Sequence, residues 1–261
     1  MKFEYAAATD VGRIRTNNED AVSVNAEYDV AVLADGMGGY NAGEVASAMA
    51  VEDITSELVR WLTEASWQAD VRDVRRAMEI CVDNVNRTIF DASNTNPAYV
   101  GMGTTLVMTV RHGHQLIIGH VGDSRAYRWR SGTLTQLTKD HSLLQEQIDM
   151  GLITHEEAAL SSNRNLVTRA LGVEDAVLLD VQESPVQQDD IYLLCSDGLT
   201  DMVAEADIAD FFSETEGLPE LAYGLIDMAN MAGGRDNISV VVIKARKAPK
   251  KSGAISKFLR K

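Results

Sequence analysis

Cysteine is scarce in this chain and long apolar runs are absent, and each shortage excludes something. The two cysteines, Cys81 and Cys195, form no metal-type pair. Both lie inside apolar patterns, so they read as buried, reduced thiols. No apolar stretch approaches the roughly 20 residues that cross a bilayer. The opening residues, Met1-Lys2-Phe3-Glu4-Tyr5, lack the basic-then-apolar order of a secretory signal, and a cytoplasmic protein is expected. There are no internal repeats or heptads, so a scaffold role gains no support. Positive charge is also short. The formal net charge is −15, and residues 244–261 hold eight Lys or Arg and no acid. Residues 1–243 therefore carry 16 basic against 39 acidic side chains, a net of −23. Such a body repels nucleic acid and favours cations.

What is present suits a globular protein. The length of 261 residues, with 45% apolar and 24% charged, fits one large domain or two small ones. Short strands are expected at Phe3 to Val11, Ala21 to Asn25 and Val30 to Ala34. Asn41, three positions before Glu44, resembles a capping box. The helix that follows carries Ala50, Ile54, Leu58, Trp61 and Leu62 at helical spacing. A second repeats the pattern with Val71, Val74, Met78, Cys81, Val82, Val85 and Ile89. The two should lie antiparallel on one face of a sheet. The period then changes, predicting strands at 104–110, 116–121, 126–129 and 134–137, with antiparallel pairing across short turns. Residues 139–175 are polar and irregular, a candidate mobile flap. Strands return at 177–181 and 191–196. Two helices, near 205–213 and 218–231, precede a last strand at 238–245. Without regular βα alternation, this order indicates an α+β protein of stacked antiparallel sheets flanked by helices. A domain over residues 1–245 and a basic, disordered tail over 246–261 are expected.

Three aspartates in separate parts of the chain each read as the end of an apolar strand, followed at once by a turn. They are Asp35 in Ala34-Asp35-Gly36-Met37-Gly38-Gly39, Asp197 in Cys195-Ser196-Asp197-Gly198, and Asp236 in Arg235-Asp236-Asn237-Ile238. One Asp-Gly is only a common turn. An ionised carboxylate beside a buried strand is costly unless paired, and three of them suggest convergence on a multivalent cation. Glycine beside Asp35 lets the backbone approach closely enough for a carbonyl to be a ligand. An all-oxygen donor set favours Mg²⁺ or Mn²⁺ over Zn²⁺. Arg15 stands four residues before the pair Glu19-Asp20. Its guanidinium matches phosphate geometry, and a carboxylate there can hold a metal-bound water. Asp123, in Gly122-Asp123-Ser124-Arg125, is either another ligand or the cap of a hairpin turn.

These segments, together with Gly103-Thr104-Thr105 and Thr138-Lys139-Asp140-His141-Ser142, occur in an order that resembles the metal-dependent protein phosphatase family, the protein phosphatase 2C type (PPM), in its bacterial branch. The matching words span residues 9 to 243. The resemblance implies a four-layer αββα sandwich with the metals in a cleft at one end of two antiparallel sheets. It implies that Asp35 bridges two Mn²⁺ or Mg²⁺ ions and that Gly36 offers its carbonyl oxygen. Asp197 and Asp236 would complete one ion's set, with Glu19 acting through metal-bound water. Asp123 would hold a weaker third ion with Asp197, and Arg15 would grip the substrate phosphate. The implied activity is serine/threonine protein phosphatase, by in-line attack of a metal-bridging water with no phosphoenzyme.

The general acid departs from the family pattern. Met37 stands where animal members carry histidine, and Tyr40 where many bacterial members do. Metal-bound water is the preferred donor, and His141 reads as a structural residue of its turn. Two rival readings are a non-catalytic binding module on the same fold and a small-molecule phosphomonoesterase. A degenerate module should have lost metal carboxylates, and none is missing. The resemblance further suggests, as substrates, phosphoproteins made by a bacterial eukaryotic-like Ser/Thr kinase. A monomer is expected. Ile255, Phe258 and Leu259 among Lys257, Arg260 and Lys261 could give the tail a weak contact with anionic lipid, or the tail could simply be solvated.

Overall fold

Buried side chains alternate along the strands, and the alternation sorts the interior into three apolar layers. The computed structural model describes residues 1–38, 42–65, 69–154, 157–158, 161 and 166–247. The chain begins with β1 (Lys2–Asp10), β2 (Asp20–Asn25) and β3 (Val30–Met37), then the helices α1 (Gly43–Glu64) and α2 (Val71–Thr95). Five strands follow: β4 (Gly103–Thr104), β5 (Leu106–His112), β6 (Gln115–Val121), β7 (Arg125–Arg130) and β8 (Thr133–Gln136). After helix α3 (Leu143–Asp149) come β9 (Asp180–Pro185) and β10 (Ile191–Cys195). Three helices, α4 (Asp197–Thr200), α5 (Glu205–Glu214) and α6 (Leu218–Met231), lead to the final strand β11 (Ile238–Arg246).

One sheet has the order β1-β11-β10-β7-β8. The other runs β2-β3-β5-β6-β9, with β4 paired to the end of β3. Every pairing between these strands is antiparallel. On β3, Val30, Val32 and Ala34 join the layer under α1 and α2, while Ala31 and Leu33 point between the sheets. On β11, Val240 and Val242 join the layer under α5 and α6, while Val241, Ile243 and Ala245 meet the first set between the sheets. A period of two on a sheet buried on both faces gives this result directly. The stack is helix, sheet, sheet, helix. Each fully buried Val, Leu or Ile contributes on the order of 2 kcal/mol, so the middle layer holds the two sheets in fixed relation at the end where the aspartates lie.

Several expectations need correction. Strands β5–β6 and β7–β8 are hairpins, but β6 and β7 do not pair. The chain crosses between sheets at residues 122–124. Periodicity says that a strand is present and not which sheet it joins. The strand expected at 177–181 begins at Asp180, where β6 first offers a partner (His120↔Asp180). Val177 and Leu179 instead pack into the α1/α2 layer. Helix α1 starts after Ala42, with no side-chain cap, and Asn41 lies outside the described residues. The capping box is on α2, where Asp70 accepts from the backbone of Arg72 and Asp73 and the Asp73 side chain accepts from Asp70 N. The tail expected over 246–261 starts too early, since Arg246 ends β11 as the partner of Lys2; residues 248–261 and part of the 139–175 segment lie outside the described residues.

Candidate metal centre

At one end of the molecule the rows that face between the sheets stop being apolar. Alternation from Phe3 and Tyr5 reaches Thr9 on β1, and from Ala31 and Leu33 it reaches Asp35 on β3. From Tyr192 and Leu194 it reaches Ser196, and from Val241 it runs back to Ser239. Asp20 of β2 is the direct cross-strand partner of Asp35. Ser196 Oγ donates to Asp20 Oδ2 at 2.8 Å and accepts from Ser239 N at 3.0 Å, and Ser239 Oγ donates to Thr9 Oγ1 at 2.7 Å. The floor of the site is thus a hydroxyl network joining both sheets.

Asp35 does not end its strand as the sequence suggested, since β3 continues to Met37. Its carbonyl accepts from Thr105 N at 2.9 Å and from Thr104 Oγ1 at 2.8 Å, and its N–H donates to Thr105 Oγ1 at 3.1 Å. Thr105 Oγ1 lies 2.7 Å from Ser124 Oγ, which ties the Asp35 backbone to the Asp123 turn. That turn is the crossover between sheets and not a hairpin. Gly36 N donates to Glu19 O at 3.0 Å, and a Cβ on Gly36 would stand 2.2 Å from Gly43 O. Only glycine permits that close approach of three segments.

Asp197 opens the four-residue helix α4, directly after Cys195 and Ser196. Asp236 precedes β11 rather than following a strand. Its Oδ2 accepts from Arg15 Nη2 at 2.8 Å, and its Oδ1 accepts from Asn237 N at 2.8 Å. Asn237 holds the loop that carries Arg15 and Glu19. Its Nδ2 donates to Val11 O at 3.0 Å and Asn17 O at 2.8 Å, and its Oδ1 accepts from Glu19 N at 2.8 Å. Residues from both ends of the chain meet here because β1 and β11 pair along their whole length.

The electrostatics show the convergence. Burial pushes the Asp35 carboxyl well above its usual range, and the charges of Asp20, Asp197, Asp123 and Asp236 add to it. Burial does the same to Asp197, reinforced by Asp123, Asp201, Asp236 and Asp20. Asp20 and Asp123 are each raised to about 6, first by burial. Glu19 is raised by burial and Glu44 and drawn down by Arg15. Asp20 Oδ1 is buried with no hydrogen-bond partner. A buried acceptor without a donor, among carboxylates that raise one another's pKa, is what a site built for cations shows. A cleft of about 510 Å³ opens beside it, lined by Asp123, Asp197, Asp201, Asp140, Leu144 and Ile148. A separate groove of about 570 Å³ between α1 and α2, lined in part by Leu58, Trp61 and Ile80, holds none of these carboxylates.

All seven residues named from sequence, Arg15, Glu19, Asp35, Gly36, Asp123, Asp197 and Asp236, thus belong to one end of the sandwich. A profile of protein phosphatase 2C matches residues 13–222. The chain belongs to the protein phosphatase 2C family. A serine/threonine phosphatase, stp, of Listeria welshimeri is 40% identical over 242 residues, covering 90% of this chain and 93% of that protein. The crystal structure of the Mycobacterium tuberculosis serine/threonine phosphatase PstP/Ppp superposes with a TM-score of 0.85 at 37% identity. It covers 95% of this chain and 100% of that one. A PstP catalytic domain in complex with two manganese ions superposes at 0.79 with 36% identity, covering 94% and 99%. Sequence reasoning on this phosphatase missed Asp20, Ser196 and Asn237. The signal for the first two was the point where each inter-sheet row turns polar. Asn237 sits inside the Asp236-Asn237-Ile238-Ser239 word, but nothing local revealed that its amide would reach residues 11–19.

Proposed function

We infer the chemistry of this family member from one observation above all: Asp35, Asp123, Asp197 and Asp236 crowd together with Arg15 at their rim. The enzyme is a metal-dependent serine/threonine protein phosphatase, and phosphoproteins are its substrates. The residues present fit a dication pair. Asp35 would bridge the ions and Gly36 would add its carbonyl. Asp197 and Asp236 would complete one set, with Glu19 and Asp20 positioned for the surrounding water. Asp123 with Asp197 would take a third, weaker ion. Mn²⁺ and Mg²⁺ suit the all-oxygen donors. When bound, such a pair acidifies and orients the attacking water for in-line displacement.

The protein's own groups supply the rest. Arg15, held by Asp236, faces the mouth of the site and meets the phosphoryl oxygens, binding them as negative charge spreads onto them. Met37 cannot carry a proton, and Tyr40 lies outside the described residues. His141 is committed to other partners, because its Nδ1 accepts from Gly122 N and its Nε2 faces Asp180. Water is the proposed proton donor to the leaving alkoxide.

Targets of a eukaryotic-like Ser/Thr kinase are the proposed substrates, handled by a monomer. A cytoplasmic setting agrees with two cysteines that are both free and buried. No helix among the described residues is long and apolar enough to cross a membrane. The lipid contact proposed for the basic tail rests on Ile255, Phe258 and Leu259, which lie outside the described residues. Mn²⁺-dependent hydrolysis of an aryl phosphate, abolished by chelator, tests the chemistry. A kcat/KM on phosphothreonine peptides well above that on sugar phosphates tests the substrate class, and the reverse order would make it a metabolite phosphatase.

A further inference from the structure

His141 joins three segments that are distant in sequence. Its N–H donates to Gly122 O at 2.9 Å, and its ring Nδ1 accepts from Gly122 N at 3.0 Å. Its carbonyl accepts from Thr168 N at 2.8 Å. Its Nε2 lies 3.2 Å from Asp180 Oδ2, and its ring stacks on His120 with centroids 4.6 Å apart.

Together, His120, His141 and Asp180 could be mistaken for a second metal site, since each offers a ligand atom and these atoms lie within 4.8 Å of one another. Two observations argue against it. The Arg169 guanidinium sits 3.1 Å from His141 Nε2 and donates to Asp180 Oδ1 at 2.9 Å, so a cation already holds that space. The Gly122 amide already occupies His141 Nδ1. An imidazole that accepts at Nδ1 carries its proton on Nε2, where it donates to Asp180. Burial and the neighbouring His120 hold its pKa below the usual value, in keeping with a neutral ring.

The partner of this ring is the turn that presents Asp123. Gly122 has φ +101°, and a Cβ there would stand 2.8 Å from Thr105 Cβ. The turn is packed against Thr105 on one side and hung from His141 on the other, with both polar atoms of the Gly122 main chain satisfied by one residue. Asp123 is the next residue, 8% exposed, at the edge of the cleft. We propose that His141 is a positioning residue for Asp123, fixing it through the Gly122 amide at the weaker ion's place. Asp180 holds the ring of His141 and Thr168 its main chain, so one residue ties the Asp123 turn to Thr168 and Asp180. This inference rests on the reading of Asp123 as a ligand of a third ion.

The test uses the full chain, titrated with Mn²⁺ by calorimetry and assayed on a phosphothreonine peptide. His141→Asn keeps an amide oxygen near the position of Nδ1 and so keeps an acceptor for Gly122 N. His141→Gln reaches toward Asp180 and leaves that N–H unmatched. His141→Gln should weaken the weaker Mn²⁺ site about tenfold, the lower end for a group that orients a ligand, and lower kcat by a similar factor with KM unchanged. His141→Asn should retain most of both. In an Asp123→Asn background His141→Gln should have no further effect, because two residues acting through one path are not additive. Equal weaker-site affinity in the parent and His141→Gln would overturn the proposal. So would a parent that binds only two ions, or a His141→Gln effect undiminished beside Asp123→Asn. Loss of the two tighter sites, or activity without metal in the parent, would instead sink the phosphatase mechanism itself.

Discussion

Asp20 and Asp35 face each other directly across β2 and β3, both drawn into the interior between the sheets. Like charges in that relation destabilise a sheet. Ser196 satisfies only one oxygen of Asp20. The pair therefore ties the stability of the fold to whatever neutralises it, either protons or cations.

Metal-stripped protein should lose stability as pH rises from 5 to 7.5. Asp20 and Asp123 are lifted from 3.8 to about 6 in the folded state. The folded chain therefore holds protons that the unfolded chain has released. Their stabilising effect is complete below about pH 4 and is lost as pH passes about 6. Calorimetry in chelator should show a Tm several degrees lower at pH 7.5 than at 5.5, at about 2–4 °C per kcal/mol for a chain of this size. Adding Mn²⁺ at pH 7.5 should restore it by mass action. A Tm that climbs over this window without metal would contradict the account.

Asp35→Asn should separate activity from stability. Turnover of a phosphothreonine peptide should fall by at least about 100-fold, because the carboxylate proposed to bridge the ions is gone. In chelator at pH 7.5 the variant should nevertheless melt higher than the parent, since one charge leaves a crowded site. Asp236→Asn should lose activity with little such gain, because Asp236 already has Arg15 as a partner. Normal turnover by Asp35→Asn would refute the assignment.

Arg15→Ala should mainly raise KM if the guanidinium holds the phosphate alike in the bound substrate and in the transition state. The guanidinium is 49% exposed and its bond to Asp236 lies at the rim, so the stability change should stay within about 1 kcal/mol. Steady-state kinetics on the peptide and a urea melt would check both halves. An unchanged KM would remove Arg15 from phosphate binding.

Asn237→Ala should do the reverse and destabilise by roughly 2–3 kcal/mol. Val11 O, Asn17 O and Glu19 N would each lose a buried partner, and such losses cost about 1–3 kcal/mol when the group stays unsatisfied. Since the released loop carries Arg15 and Glu19, kcat/KM should also drop. Denaturant unfolding combined with the peptide assay would show whether the two effects travel together.

Asp123→Asn should slow turnover while two Mn²⁺ ions still bind. A calorimetric titration that loses one of the tighter sites would place Asp123 in the core set and not beside it.

Much of this was legible in the residues, for definable reasons. Strand periodicity located β3, β10 and β11, and the ordered words located Asp35, Asp197 and Asp236 at one end. The change of sheet at Gly122-Asp123-Ser124 was hidden, because β6 and β7 each look like half of a hairpin. Asp20 was eclipsed by Glu19 beside it. Only the register of β2 on β3 shows that Asp20, at the strand's first position, faces Asp35. Ser196 and Asn237 act across 176 to 226 positions of chain, a separation that no local pattern reports. The helix at Asp197 is a single turn, too short to have a period.

The antiparallel ladder between β1 and β11 has a consequence for biosynthesis. It joins the first and last described strands over nine residue pairs, and the bonds of Asn237 cross the same seam. A ribosome-bound chain that has not yet emitted residues 236–246 has neither the final carboxylate nor the clamp on Arg15. Catalysis must therefore wait for β11 to pair with β1, a contact across more than 200 residues whose loop-closure entropy slows it. A part-made chain that lacks residues 236–246 therefore has an incomplete site.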